Sequence, residues 1–214
     1  MLPGTYNPQY FAGPPAVIQR ATSTTSARAT STVLSWAAAA AGSLIVIEFC
    51  CETNAANPTT PAGYTLWASG NASNGGGITT SLYYKVAAAG ETGVTITHGS
   101  NQTCSIMREF TNCPAGTVDT ASTLGATNAA PDPPNLTPAA GSKPYLFVAG
   151  ASYPTTAVSA YSSGYSNGIE AATTGTTLLR IASAENSVTG ISDNPGTLTI
   201  GSAVKNNAYT YAVS

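Results

Sequence analysis

The side chains able to do chemistry are few: one histidine, four cysteines and nine carboxylates in 214 residues. A serine-histidine-aspartate site would have to use His98, but no Gly-x-Ser-x-Gly elbow is present. His98 ends the alternating run Val94-Thr95-Ile96-Thr97-His98 on its apolar side, the place of a half-buried, hydrogen-bonded ring. Cys50 and Cys51 are neighbours, so on a strand they point to opposite faces and cannot bridge without distorting it. Cys104 and Cys113 fit no zinc spacing, since there is no Cys-x-x-Cys and only one histidine. All four read as small buried hydrophobes, and a Cys104–Cys113 bridge stays open. Glu48, Glu52, Glu91, Glu109, Asp119, Asp132, Glu170, Glu185 and Asp193 are scattered, with no paired-carboxylate cluster for glycoside hydrolysis and no calcium loop. Asp193-Asn194-Pro195-Gly196 reads as a turn. The expectation is no catalytic residue, no cofactor and no metal.

The elements that would position these side chains are strands. The apolar run from Ser43 to Cys51 is far shorter than the roughly 20 residues of a spanning helix, and Glu48 interrupts it. Its β-branched content and the turn cluster Asn57-Pro58-Thr59-Thr60-Pro61 make it a buried strand. Further strands are expected over 31–36, 64–69, 78–86, 93–98, 103–110, 143–152, 157–162, 176–184, 197–203 and 208–213. The Pro-rich stretch Thr127 to Pro138 reads as a connector. No window sustains a 3.6-residue period between caps. Short alternating runs separated by Gly, Asn and Pro turns predict an all-β antiparallel β-sandwich, jelly-roll or immunoglobulin-like.

Composition narrows the function classes. Charged residues are 7% and hydrophobic residues 43% of the chain, which excludes ordinary disorder. With a net charge of −2 there is no electrostatic footprint for nucleic acid or for an anionic membrane. The N-terminus has neither a basic nor a continuous apolar stretch of a secretory leader. Residues 1–30, with Pro3, Pro8, Pro14 and Pro15, read as an extended arm carrying Tyr6, Tyr10 and Phe11 as candidate assembly contacts. The remainder, 31–214, reads as one sandwich domain containing a pseudo-repeat, with halves at about 31–125 and 135–214. Ala40 to Phe49 resembles Ala139 to Gly150, and Gly63-Tyr64 matches Gly164-Tyr165. Glu48 and the Arg108-Glu109 pair lie in strands that otherwise read as buried. They predict either a satisfied ion pair on a sheet face or a face covered by a neighbouring subunit.

The pieces Gly42–Phe49, Thr60–Trp67, Leu82–Ala87, Ala89–Thr97 and Arg108–Phe110, in that order, resemble phage-associated β-sandwich structural proteins of tail fibres, head decorations and prophages. The resemblance implies a scaffold and transfers no catalytic residue. It implies a non-enzymatic virion structural protein, a capsid decoration or minor head protein on the particle surface, made in the host cytoplasm without a signal peptide. Its partners would be other virion proteins and copies of itself. The alternative is a tail-fibre module that binds a receptor or host surface glycan, with a carbohydrate-active enzyme third. The absence of coiled-coil heptads or a collagen-like repeat favours the decoration reading over the fibre.

Overall fold

A computed structural model describes residues 13–52, 58–72, 77–113, 118–174 and 178–214, the side chains of 68–72 and 124–125 aside. The described residues hold no helix. Two five-stranded antiparallel sheets form the molecule. The first contains β1 (Ala16–Ser35), β2 (Leu44–Glu52), β3 (Thr65–Ala72), β4 (Ile78–Val86) and β5 (Gly93–Thr111), in the spatial order β1-β5-β2-β4-β3. The second contains β6 (Val118–Asn128), β7 (Lys143–Tyr153), β9 (Ser166–Ala172), β10 (Arg180–Gly190) and β12 (Val204–Val213), in the order β6-β12-β7-β10-β9. A small ribbon pairs β8 (Val158–Ala160) with β11 (Thr199–Ile200). This is the all-β sandwich the alternating runs predict.

Each sheet is built from one half of the chain. Numbered within its own half, and setting the short ribbon aside, each sheet has the same order of first, fifth, second, fourth and third strand. Gly42 and Gly141 occupy matching turns ahead of the second strand of each sheet, both with φ in the left-handed region (79° and 75°) where a Cβ is disfavoured. The turns of Gly63 and Gly164 match in the same way.

The inner faces of the two sheets form the main core. Leu44, Val46 and Cys50 from β2 and Ile106 and Phe110 from β5 meet Leu146 and Val148 from β7 and Tyr209 and Tyr211 from β12. The outer face of β2, formed by Ile45, Ile47, Phe49 and Cys51, is also fully buried. The cover is the first sheet's own ribbon. β1 and β5 outrun β2, and their pairing shifts register between Thr25, Ala29 and Ser31. There the ribbon folds back, so that Ser23 Oγ donates to the Val33 carbonyl of the same strand and Leu34 and Ile96 land on Ile47, Phe49 and Met107. On the second sheet, the connector residue Leu136 covers Tyr145 and Phe147, and Ile200 of the β8–β11 ribbon covers Ala151 and Tyr153.

Three strands depart from the sequence expectation. Residues 16–30, expected as part of an extended arm over 1–30, belong to β1, which pairs with β5 from Ala16–Thr111 to Ser35–Gly93; residues 1–12 lie outside the described residues. β6 and β9 also fall where no strand was expected. All three are edge strands, which bury little and so carry no apolar alternation to read. The runs 93–98 and 103–110 join into the single bent strand β5.

Candidate functional site

The most unusual chemistry lies between the sheets. Glu48 projects from β2 to the inner face, and Arg108 sits diagonally across on β5, two registers along from Ile106, the partner of Glu48. Arg108 is completely buried. Its Nη1 donates to Glu48 Oε1 and to Ser183 Oγ (2.9 Å), its Nη2 to the Ser183 carbonyl (3.3 Å), and its Nε to Glu185 Oε1 (2.8 Å). Glu48 in turn accepts from the hydroxyls of Tyr211 (2.8 Å), Ser183 (2.6 Å) and Tyr209. Glu185 accepts a second guanidinium, with Arg20 Nε 2.7 Å from Oε1 and Arg20 Nη2 on Oε2. Asn167 Nδ2 donates to the same Oε2 at 3.2 Å. The result is a neutral chain of two carboxylates and two guanidiniums that stitches β2, β5 and β1 of one sheet to β10, β12 and β9 of the other.

Each position has a local cause. β10 pairs with β7 without a break, so Ser183 and Glu185 share a face. Gly150 lies opposite Ser183 and Tyr209, where an added Cβ would meet Tyr209 Oη at 2.6 Å and Ser183 Cβ at 2.7 Å. Only glycine leaves the passage through which Tyr209 reaches Glu48.

The electrostatics follow from burial and charge together. Burial works against a charged Arg108, but Glu48, Tyr211 and Glu185 outweigh it and raise its pKa above the ordinary value. Burial likewise works against ionised Glu185, yet the hydrogen bond from Arg20 and the charge of Arg108 hold it below the usual carboxylate value. Tyr209 and Tyr211 are pushed well above the ordinary phenol range by burial and then by the charge of Glu48. The two phenols therefore remain donors. A carboxylate fixed as an anion between two guanidiniums is a poor general acid, and Glu48 has no open path to a substrate at 1% exposure. The arrangement suits holding and recognition better than proton transfer.

The chain of charges comes to the surface at Arg20, whose side chain is 31% exposed. It opens there into a cavity of about 250 Å³ lined by Val17, Arg20, Leu146, Asn167, Glu185 and Ser187, among others. Asn167 takes a left-handed backbone, φ 52°, and the β9–β10 pairing slips between Ser183 and Glu185 beside it.

The other candidate residues go elsewhere. Glu109, next in sequence to Arg108, points to the outer face and accepts from Gln19, Ser43 Oγ and the Ala40 amide (2.8 Å). Glu91 binds Lys85 and Tyr64, and Glu170 binds Arg180 and Tyr153. Asp193 accepts from Tyr165. Glu52 pairs with Arg28 at 3.0 Å. His98 is buried against Phe49, its Nδ1 donating to the Gly99 carbonyl (2.7 Å) and its Nε2 2.9 Å from Thr32 Oγ1. The four cysteines are free and buried, so Cys104 and Cys113 are not bridged. Cys50 instead faces Cys104 across the β2–β5 ladder. Burial raises the Cys51 thiol to about 12 and the Cys113 thiol to about 11, which leaves them inert at neutral pH. Among the described residues no three metal-ligating side chains converge, and no helix is long and apolar enough to cross a membrane.

Tyr6, Tyr10 and Phe11 lie outside the described residues. Glu48 and Arg108 were legible in the sequence as charges inside apolar strands. Their partners Glu185, Arg20, Tyr209 and Tyr211 were not, because the pairing crosses between sheets. No protein-family model, no curated protein and no solved structure matches the chain.

Proposed function

We propose that this chain is a non-enzymatic structural protein of a phage particle, seated on the capsid exterior as a decoration or minor head protein. What supports the reading is the placement of charge. Among the described residues, Arg20, Arg28, Lys85, Arg108 and Arg180 are tied into ion pairs with Glu48, Glu52, Glu91, Glu170 and Glu185. The most extensive group lies between the sheets, and Glu109 is capped on the outer face. Much of the surface left over is hydroxyl-rich, as on β1, where Thr22, Thr24, Thr30, Ser31 and Ser35 are exposed beside Arg20 and Arg28. Such a surface associates through hydrogen bonds and shape rather than through solvated charge. Residues 1–12, with Tyr6, Tyr10 and Phe11, supply the apolar anchors for docking on a neighbouring virion protein.

The surface chemistry gives the test. Particles purified from the producing host are washed in about 1 M salt, where the Debye length is roughly 3 Å. The chain is expected to stay with the particles, since charge pairs do not hold it there. Recovery of the whole pool as free protein, before or after the wash, overturns the reading.

A further inference from the structure

We infer that the cavity at the Arg20–Glu185 end of the charge chain binds a single neutral sugar ring. The ion-pair chain behind it sums to zero, with Arg20 and Arg108 against Glu48 and Glu185. The charges behind the cavity therefore leave no net charge for a ligand to neutralise. The lining nevertheless keeps hydrogen-bonding capacity of both kinds. Arg20 uses Nε and Nη2 on Glu185, which leaves its Nη1 donors. Asn167 uses Nδ2 on Glu185, which leaves its Oδ1 acceptor, and Ser187 adds a hydroxyl at the mouth. A ligand that donates and accepts at neighbouring positions without net charge is a polyol. Val17 and Leu146 add a small apolar patch to a mainly polar lining, which suits the C–H groups of a ring otherwise covered in hydroxyls. At about 250 Å³ the space lies below the roughly 300–1,000 Å³ of drug-sized pockets, which suits one ring rather than a chain of them.

The site is also built in advance. The planar groups of Arg20, Glu185 and Asn167 hold one another in place, so little ordering is left for the ligand to impose. Asn167 keeps the left-handed backbone that brings its amide to Glu185. The inference stands apart from the particle reading, since a sugar site can sit on a virion protein or on any other.

Ligand-observed saturation-transfer NMR on the full chain tests it. The probes are galactose, glucose and N-acetylglucosamine, with N-acetylneuraminic acid and glucosamine as the charged counterparts. At least one neutral sugar is expected to bind with millimolar affinity and to be preferred over both charged ones. Ser187→Phe fills the mouth from an exposed position, and Asn167→Gly removes the amide while tolerating the backbone; each is expected to weaken binding about tenfold or more. Absence of transfer from all three neutral sugars overturns the proposal. So does preference for a charged sugar, or unchanged binding in both variants. Retention of Ser187→Phe on washed particles is scored separately, so loss of sugar binding and loss of particle association are distinguishable.

Discussion

Arg108 is the residue on which the two sheets depend most. It is fully buried and bonded to Glu48, Ser183 and Glu185, so Arg108→Met strands Glu48 in the interior and leaves Glu185 with Arg20 as its one remaining guanidinium. Breaking a buried pair from one side costs about 3–5 kcal/mol, and urea unfolding should register a loss of that size. Adding Glu48→Gln to Arg108→Met should recover part of it, because the stranded charge is gone. The same network fixes a pH dependence. The folded value of Glu185 lies below the ordinary 4.5, so its contribution is complete above that value. It is lost as pH falls through the lowered folded value, since the unfolded chain takes up the proton first. Tyr209 and Tyr211 act at the other end. Their folded values lie above the ordinary 10, so their contribution is whole below 10 and declines as pH rises past it. Unfolding midpoints measured from acid to alkaline pH should form a plateau falling at both ends, and Glu185→Gln should flatten the acid limb. Glu48 and Arg108 could be singled out from sequence because a charge in an apolar strand demands a partner. Glu185 could not, because Ala-Ser-Ala-Glu-Asn-Ser carries no apolar frame to mark its face.

Elements differ in how far the sequence reveals them, and burial explains the difference. Central strands such as β2 and β7 are apolar along most of their length. The edge strands β1, β6 and β9 are largely Thr, Ser, Ala and Asn, and are held chiefly by backbone bonds to one neighbour. The consequence for truncation is sharp. Deleting residues 1–12 leaves every described strand in place and should give a folded β domain with an unchanged unfolding midpoint. Deleting 1–28 removes Arg20 and the part of β1 that pairs with Thr103 to Thr111, and should lower the midpoint or abolish cooperative folding. Equal midpoints for the two deletions would contradict the role given to β1. Within β7, Gly150→Ala should cost about 1–3 kcal/mol, the range for overpacking a core, because Tyr209 and Ser183 must both move. A midpoint as high as the parent's would mean that Tyr209 reaches Glu48 by another path.

At the scale of the molecule, the two sheets share one strand order and matching glycine turns, yet they meet through a charged seam as well as an apolar one. The glycine-tyrosine and apolar-strand markers in the sequence suggested a likeness between the halves. That each half would form a whole sheet was not, because strand markers do not say which neighbours pair. Nor could the fold-back of the β1–β5 ribbon be read, since it turns on register shifts around Ala29 rather than on a proline or a long loop. The outcome is a sandwich in which many charges are matched internally, and the proposal of a particle protein rests on that. Gold-labelled antibody against this chain, applied to intact particles and viewed by electron microscopy, tests that assignment most directly. The account predicts label distributed over the capsid exterior. Label confined to tail tips would contradict the capsid placement, and particles without label, beside a free pool of the protein, would contradict the structural role itself.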